Sequence, residues 1–246
     1  MTKDIKNYLI TGITGFVGPH LANLLLSEGH GVYGVVRTPG RENVVQERVP
    51  EKLFKKISFI YGDLTSDHFI EELYQNYSFD GVFHFAAQSS APASVADAYG
   101  TFNVNTTSTV RIALAIARYQ PKCTLVYASS AEVYGICDPK DGPINEEFPL
   151  KPITPYGVSK AASELFVRER ANSLGLRFIV GRGFTSTGPG RPRNFAISSD
   201  AAQIAEIKAK KKKPVINVGN LASQRGVMDI RDGVRGYYLL MQKGVS

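Results

Sequence analysis

The chain has 246 residues, 43% of them hydrophobic, enough for one large domain and part of a second lobe. No stretch approaches the roughly 20 apolar residues of a membrane span and no charged-then-apolar leader opens the chain, so a soluble cytoplasmic protein without membrane contact is expected. The net charge is +7, part of it gathered in Lys208, Lys210, Lys211, Lys212 and Lys213; the run has no aromatic interleaving or groove-binding motif, which favours a solvated helix end over a nucleic-acid arm.

In chain order, Tyr8 to Ile10 forms a first apolar strand. It runs into Thr11-Gly12-Ile13-Thr14-Gly15-Phe16-Val17-Gly18. Val17, Leu21, Leu24 and Leu25 then recur at helical spacing as far as the breaker Gly29, with Pro19 in the first turn, where its missing N–H costs little. Val32 to Val36, Ile57 to Tyr61, Gly81 to Ala86, Thr124 to Ala128 and Arg177 to Val180 follow as β-rich runs. Thr107 to Arg118 and Tyr156 to Leu174 carry helical patterns between them. This alternation predicts an α/β protein with a doubly wound parallel sheet covered on both faces. After Gly181 the pattern loosens through Gly183, Gly188, Pro189, Gly190 and Pro192. Helices are expected at Ser198 to Ala209 and Arg231 to Lys243. The expected organisation is a Rossmann core over residues 1–182 and a smaller substrate-binding region over 183–246, incomplete at its C-terminal end, with the last helix available to pack back on the core. Cys123 and Cys137 have no metal-like spacing, so no metal is expected, and the count fits a reducing compartment.

Gly12, Gly15 and Gly18 lie between a strand and a helix. Glycines there let the backbone turn tightly and approach a pyrophosphate, and the helix N-terminus offers free N–H donors. The second strand ends in Arg37, where an enzyme using NAD would usually place an acid for the ribose 2′-hydroxyl. An arginine suits a 2′-phosphate instead, with Arg41 close in sequence, so NADP(H) is the expected cofactor and NAD the alternative. Asp63-Leu64, after the third strand, is a candidate adenine contact; a turn or N-cap role for Asp63 stays open.

Tyr156 and Lys160 stand four apart on one helix face. A phenol with a pKa near 10 is a poor acid–base group at neutral pH. An ammonium about 4 Å away at an effective dielectric of about 20 is worth about 4 kcal/mol, so the spacing predicts a phenol made more acidic by its neighbour. Ser129, Ser130 and Glu132 leave the end of the fifth strand, the side on which ligands bind in open α/β sheets. Ser130 can donate to the substrate oxygen on which Tyr156 acts. Turn chemistry for the serines and a solvated Glu132 are the plainer readings of each residue taken singly.

Together these residues resemble the extended short-chain dehydrogenase/reductase family of nucleotide-sugar enzymes, of the epimerase/dehydratase type, over essentially the whole chain. The likeness rests on the glycine loop, Asp63-Leu64, His84-Phe85-Ala86-Ala87-Gln88, Asn105, the Ser130 segment and Tyr156/Lys160. It implies hydride transfer at a nicotinamide, with Ser130, Tyr156 and Lys160 in the catalytic roles, Glu132 as a further catalytic candidate, and Tyr156 and Lys160 also contacting the cofactor, Lys160 through its ribose. It adds Thr14, Phe16, Val17, Ala86, Ala87, Gln88 and Asn105 to the cofactor contacts. Two stretches look most like the GDP-4-keto-6-deoxy-D-mannose reductase branch. One runs from Ala86 to Ser90 and on to Thr101–Asn105; the other runs from Phe195 to Arg225.

That branch implies reduction of a 4-keto nucleotide sugar, GDP-linked, by NADPH. Arg225 would then hold the diphosphate, with Arg191 and Thr185 nearby. It also implies a homodimer formed through the helices bearing Ile112, Leu114, Ile116, Leu165, Phe166 and Val167. Ser108, Thr185 and Gly226 depart from the family pattern; the last replaces an acid and bears on which sugar is accepted. Three rival readings stand beside this one. A 4,6-dehydratase would use Glu132, though Ala131 cannot serve as a neighbouring proton donor. A 4-epimerase usually retains NAD, which Arg37 opposes. A non-catalytic NADP(H) sensor has no need of Tyr156 or Lys160.

Overall fold

The computed structural model describes residues 4–138, 140, 142–222 and 224–245. In chain order they form β1 (Asn7–Thr11), α1 (Val17–Ser27), β2 (Gly31–Val36), the single-turn helices α2 (Asn43–Gln46) and α3 (Glu51–Phe54), β3 (Ile57–Tyr61), α4 (Asp67–Asn76) and β4 (Gly81–His84). Next come α5 (Ala91–Ala96), α6 (Ala98–Phe102), a π-helical turn (Asn103–Thr107), α7 (Ser108–Tyr119), β5 (Thr124–Ser130) and a 3-10 turn (Ala131–Val133). The chain continues with α8 (Pro155–Leu174), β6 (Phe178–Gly183), β7 (Thr185–Thr187), α9 (Ala196–Lys208), β8 (Val227–Asp229) and α10 (Ile230–Lys243).

The first six strands make one parallel sheet in the order β3-β2-β1-β4-β5-β6. This is the Rossmann arrangement, in which strand order reverses between β1 and β4 and opens a crevice at their C-terminal ends. The inner strands β1, β2, β4 and β5 are almost entirely buried because helices cover both faces, whereas the edge strand β3 exposes Ser58 and Tyr61. On one face Leu21 and Leu25 of α1 and Val234 and Tyr238 of α10 pack over Ile10, Phe83 and Val126. Burial of a leucine such as Leu21 or Leu25 stabilises this docking by about 1.5–3 kcal/mol. On the other face Ile70 and Leu73 of α4, Ile112 and Ile116 of α7 and Val167 of α8 cover Leu9, Val82 and Leu125. Ile112, Ile116 and Val167 are therefore core residues rather than dimer contacts. Leu114 and Leu165 are exposed, and Phe166 is partly buried against the core.

Local chemistry sets the ends of the helices that carry the site. Thr154 caps α8 by accepting from the Gly157 N–H at 3.0 Å, with Pro155 in its first turn. Asp229 caps α10 in the same way, accepting from the Arg231 N–H at 2.8 Å. A second, two-stranded parallel sheet pairs β7 with β8, two short segments whose sequence predicts no strand. Strand β5 extends to Ser130, which pairs with Gly183, so Ser129 and Ser130 are strand residues rather than the start of a loop. The α7 pattern begins only after the π-helical turn. Helix α9 ends at Lys208, which places Lys210 to Lys213 just beyond its C-terminus. Among the described residues no helix is long and apolar enough to cross a membrane.

Candidate active site

The glycine loop lies where the sheet order reverses. Gly12 takes φ +72°, and a Cβ there would stand 2.7 Å from the Ala86 backbone N, so the loops after β1 and β4 touch. A Cβ on Gly18 would stand 2.5 Å from the Ile13 Cα, which lets the first turn of α1 close on the strand. The Gly15 N–H donates to the Gly12 carbonyl at 2.9 Å. Helix α1 has no side-chain cap and no acid in its first turn, leaving its N–H groups for an anion.

Arg37 and Arg41 are exposed just past β2. Asp63 spends Oδ1 on the Thr65 N–H and hydroxyl, at 2.9 and 2.8 Å, which is a turn contact. Leu64 packs its side chain into the core beside Ile70 and Leu73.

Behind the crevice runs a chain of hydrogen bonds. The Ala86 N–H donates to the Thr11 hydroxyl at 3.3 Å, and that hydroxyl lies 2.6 Å from His84 Nδ1. His84 Nε2 lies 2.9 Å from the Thr109 hydroxyl, which donates to the Asn105 carbonyl at 2.5 Å. With that hydroxyl proton committed, Nε2 carries the imidazole proton and Nδ1 accepts from Thr11. Burial, and then the Lys160 charge, pull the His84 pKa down to about 3, so the ring is neutral. Asn105 sits in the π-helical turn; its Oδ1 accepts from the Gln88 N–H at 2.8 Å and its Nδ2 donates to the Gln88 carbonyl at 3.0 Å and the Ser159 hydroxyl at 2.9 Å. Gln88 and Asn105 thus tie the β4 loop to α8, while Ala86 ties it to β1.

Tyr156 is buried and lines the same cleft as Ser130, whose hydroxyl acts on its phenol electrostatically. Ser130 Oγ also accepts from the Glu132 N–H at 3.2 Å. The electrostatics differ from those the Tyr156/Lys160 spacing predicts. Lys160 Nζ donates to the Ala128 carbonyl at 2.7 Å and lies 4.9 Å from the Tyr127 ring centroid. Burial lowers its pKa to about 7. Tyr156 is raised rather than lowered: burial disfavours the phenolate more than its partners support it. The nearby Ser130 hydroxyl opposes the rise, the Glu132 charge adds to it and the Arg191 charge opposes it. The phenol therefore keeps its proton at neutral pH and can give it up to a substrate oxygen.

A cleft of about 1630 Å³ runs from these groups to residues around β7, β8 and α9. Gly12, Gly15, Phe16, Val17, Ala87, Ser130, Glu132, Tyr156, Lys160, Thr185, Arg191 and Arg225 all line it. Thr14, Gly18, Arg37, Asp63, Leu64, Ala86, Gln88 and Asn105 support it or lie to one side. The Arg191 guanidinium stacks between two rings, 3.7 Å from the Phe195 centroid and 5.0 Å from that of Phe16. Thr185 is half-buried in β7, whereas Arg225 is exposed and donates to its neighbour's carbonyl, Gln224 O, at 2.9 Å.

A family model described as GDP-mannose 4,6 dehydratase matches residues 9–246. The chain belongs to that family. GDP-6-deoxy-D-mannose reductase of Pseudomonas aeruginosa is 30% identical over 97% of this chain, which spans 71% of that relative. GDP-mannose 4,6-dehydratase of Sinorhizobium fredii is 31% identical over 98% of this chain, which spans 69% of that relative. Among solved structures, RMD from Pseudomonas aeruginosa complexed with NADPH aligns with a TM-score of 0.81 at 28% identity, over 98% of this chain and 75% of that one. The relatives are thus nucleotide-sugar enzymes, reductases and dehydratases alike.

In this member of the GDP-mannose 4,6-dehydratase family, structure adds residues that the motifs do not flag. Glu164, one further helical step beyond Lys160, is fully buried and pairs with Arg182 through Oε1. Its Oε2 accepts from the Ser129 hydroxyl at 2.9 Å. Arg182 also donates to the Tyr134 hydroxyl at 3.0 Å and the Glu146 carbonyl at 2.7 Å, clamping the ends of β5 and β6 to the rim of the cleft. The i, i+4 spacing from Lys160 was the available signal for Glu164. Arg48, which donates to the Gly15 carbonyl at 3.0 Å, had none.

Proposed function

We propose that this chain reduces a 4-keto-6-deoxy nucleotide sugar, GDP-linked, with NADPH. The buried Tyr156 phenol carries this reading: it is protonated at neutral pH and lies in one cleft with Ser130 and the glycine loop. Cofactor fit is supported by the crevice at the sheet reversal, which Gly12 and Gly15 line, and by the uncapped start of α1. Gly12 to Gly18 would hold the pyrophosphate, Arg37 and Arg41 the 2′-phosphate, and Lys160 the ribose. When bound, NADPH supplies the hydride. Ser130 orients the sugar carbonyl, and Tyr156 gives its proton to the carbonyl oxygen as that oxygen gains charge. Arg191 and Arg225 supply positive charge for the substrate diphosphate, with Thr185 beside them.

A 4,6-dehydratase is the second reading, because Glu132 lines the same cleft and its charge acts on Tyr156. The neighbouring Ala131 offers no second proton donor, which favours the reductase. We also infer a homodimer through α7 and α8, where Leu114 and Leu165 are exposed; sedimentation showing only monomer would reject it.

The purified chain should oxidise NADPH in the presence of GDP-4-keto-6-deoxy-D-mannose and leave GDP-mannose untouched. Conversion of GDP-mannose without net NADPH consumption would replace the reductase by the dehydratase. Absence of both reactions across GDP-, UDP-, CDP- and dTDP-linked sugars would leave a binding protein.

A further inference from the structure

Arg48 belongs to none of the motifs, yet it holds the glycine loop from behind. It lies between Val45 and Val49, both buried in the core under α1, so its backbone is anchored. Its Nη1 donates to the Gly15 carbonyl at 3.0 Å. In a planar trans peptide the carbonyl of Gly15 and the N–H of Phe16 point in opposite directions. Fixing the first therefore aims the second away from Arg48.

The same guanidinium lies against the loop between β7 and α9. Gly190 takes φ +83°, and a Cβ there would stand 2.4 Å from Arg48 Nε and 2.7 Å from its Cζ. Two further contacts bring this loop onto the glycine loop and α1. His20 Nε2 meets the Pro189 carbonyl at 3.0 Å, and Arg191 stacks on Phe16.

We propose that Arg48 is a positioning residue for cofactor phosphates: it holds the Gly15–Phe16 peptide so that the Phe16 N–H faces the pyrophosphate, and it seats the Gly188–Phe195 loop against that peptide. This rests on the nicotinamide-dinucleotide reading above. It makes Arg48 act on the diphosphate common to NADPH and NADH, whereas Arg37 acts on the 2′-phosphate that only NADPH carries.

The test is fluorescence titration of the full chain and its variants with NADPH and NADH, and calorimetric titration with adenosine 2′-monophosphate, which lacks the pyrophosphate. Arg48→Ala should weaken NADPH and NADH by the same factor, roughly tenfold, as for one charge-assisted hydrogen bond lost. Binding of adenosine 2′-monophosphate should be unchanged. Arg48→Lys should recover part of the loss, and the thermal midpoint of the ligand-free variants should match the parent. Arg37→Ala should instead weaken NADPH and adenosine 2′-monophosphate and leave NADH as it was.

Unchanged dinucleotide affinity in Arg48→Ala would overturn the inference while leaving the cofactor reading intact. So would a loss confined to NADPH and adenosine 2′-monophosphate, which would make Arg48 a 2′-phosphate contact, or a fall in thermal midpoint matched by no rescue from lysine. Failure of the parent chain to bind either dinucleotide would overturn both readings together.

Discussion

Burial keeps the proton on Tyr156 and loosens the one on Lys160, and these opposite effects make separate tests. If the phenol is the acid, Tyr156→Phe should lower kcat by about 10²- to 10⁴-fold, the usual size of a general-acid contribution, while NADPH affinity stays near that of the parent. A fall in affinity with kcat preserved would give Tyr156 a binding role instead.

Lys160 is tested through stability. Its pKa is about 7 when folded against the usual 10.5, so between these values the unfolded chain binds the proton more tightly. Stability should therefore rise with pH over that window, by up to about 1.4 kcal/mol per pH unit from this one group. Below about pH 7 both states are protonated and the contribution flattens. Urea unfolding of the parent and of Lys160→Met across pH 7 to 10 should show a slope in the parent that the variant lacks; equal slopes would mean the ammonium is not buried as described.

At the scale of elements, β5, β6 and α8 meet through Glu164 and Arg182. Removing one member of a buried pair leaves the other charge uncompensated. Glu164→Gln should destabilise the fold by about 3 kcal/mol in urea or thermal unfolding. A change within about 0.5 kcal/mol, the range of a surface substitution, would mean that Tyr134 and Glu146 satisfy Arg182 unaided. This pair also marks where the sequence stops being legible. Strands β1 to β6 and helices α1, α7, α8 and α10 can be read from apolar runs and helical periodicity, because each buries a continuous stripe. Three-residue strands such as β7 and β8 cannot be read this way, since their pairing depends on partners some forty residues apart. The π-helical turn likewise leaves no mark in the pattern, although it places Asn105. Spacing brings Tyr156 and Lys160 to one helix face but says nothing about burial, which raises the phenol pKa against the expectation, or about the Ala128 carbonyl to which the Lys160 ammonium donates. Arg48 carries no motif because what it touches is a backbone carbonyl distant in the chain.

Taken as a whole, the molecule places its chemistry where a doubly wound sheet opens, at the β1–β4 reversal, and roofs it with the loops around β7, β8 and α9. The chain spans 71% of the Pseudomonas reductase and 69% of the Sinorhizobium dehydratase. The central claim is that hydride and proton reach the same carbonyl in this cleft. It is tested most directly with NADPH deuterated at both positions of nicotinamide C4 and GDP-4-keto-6-deoxy-D-mannose as acceptor, the product being read by mass spectrometry and NMR. The account requires a single deuterium at C4 of a 4-hydroxy sugar, formed by the parent chain and nearly lost in Tyr156→Phe. Unlabelled product, or label that reaches the sugar equally well without the tyrosine hydroxyl, would contradict it.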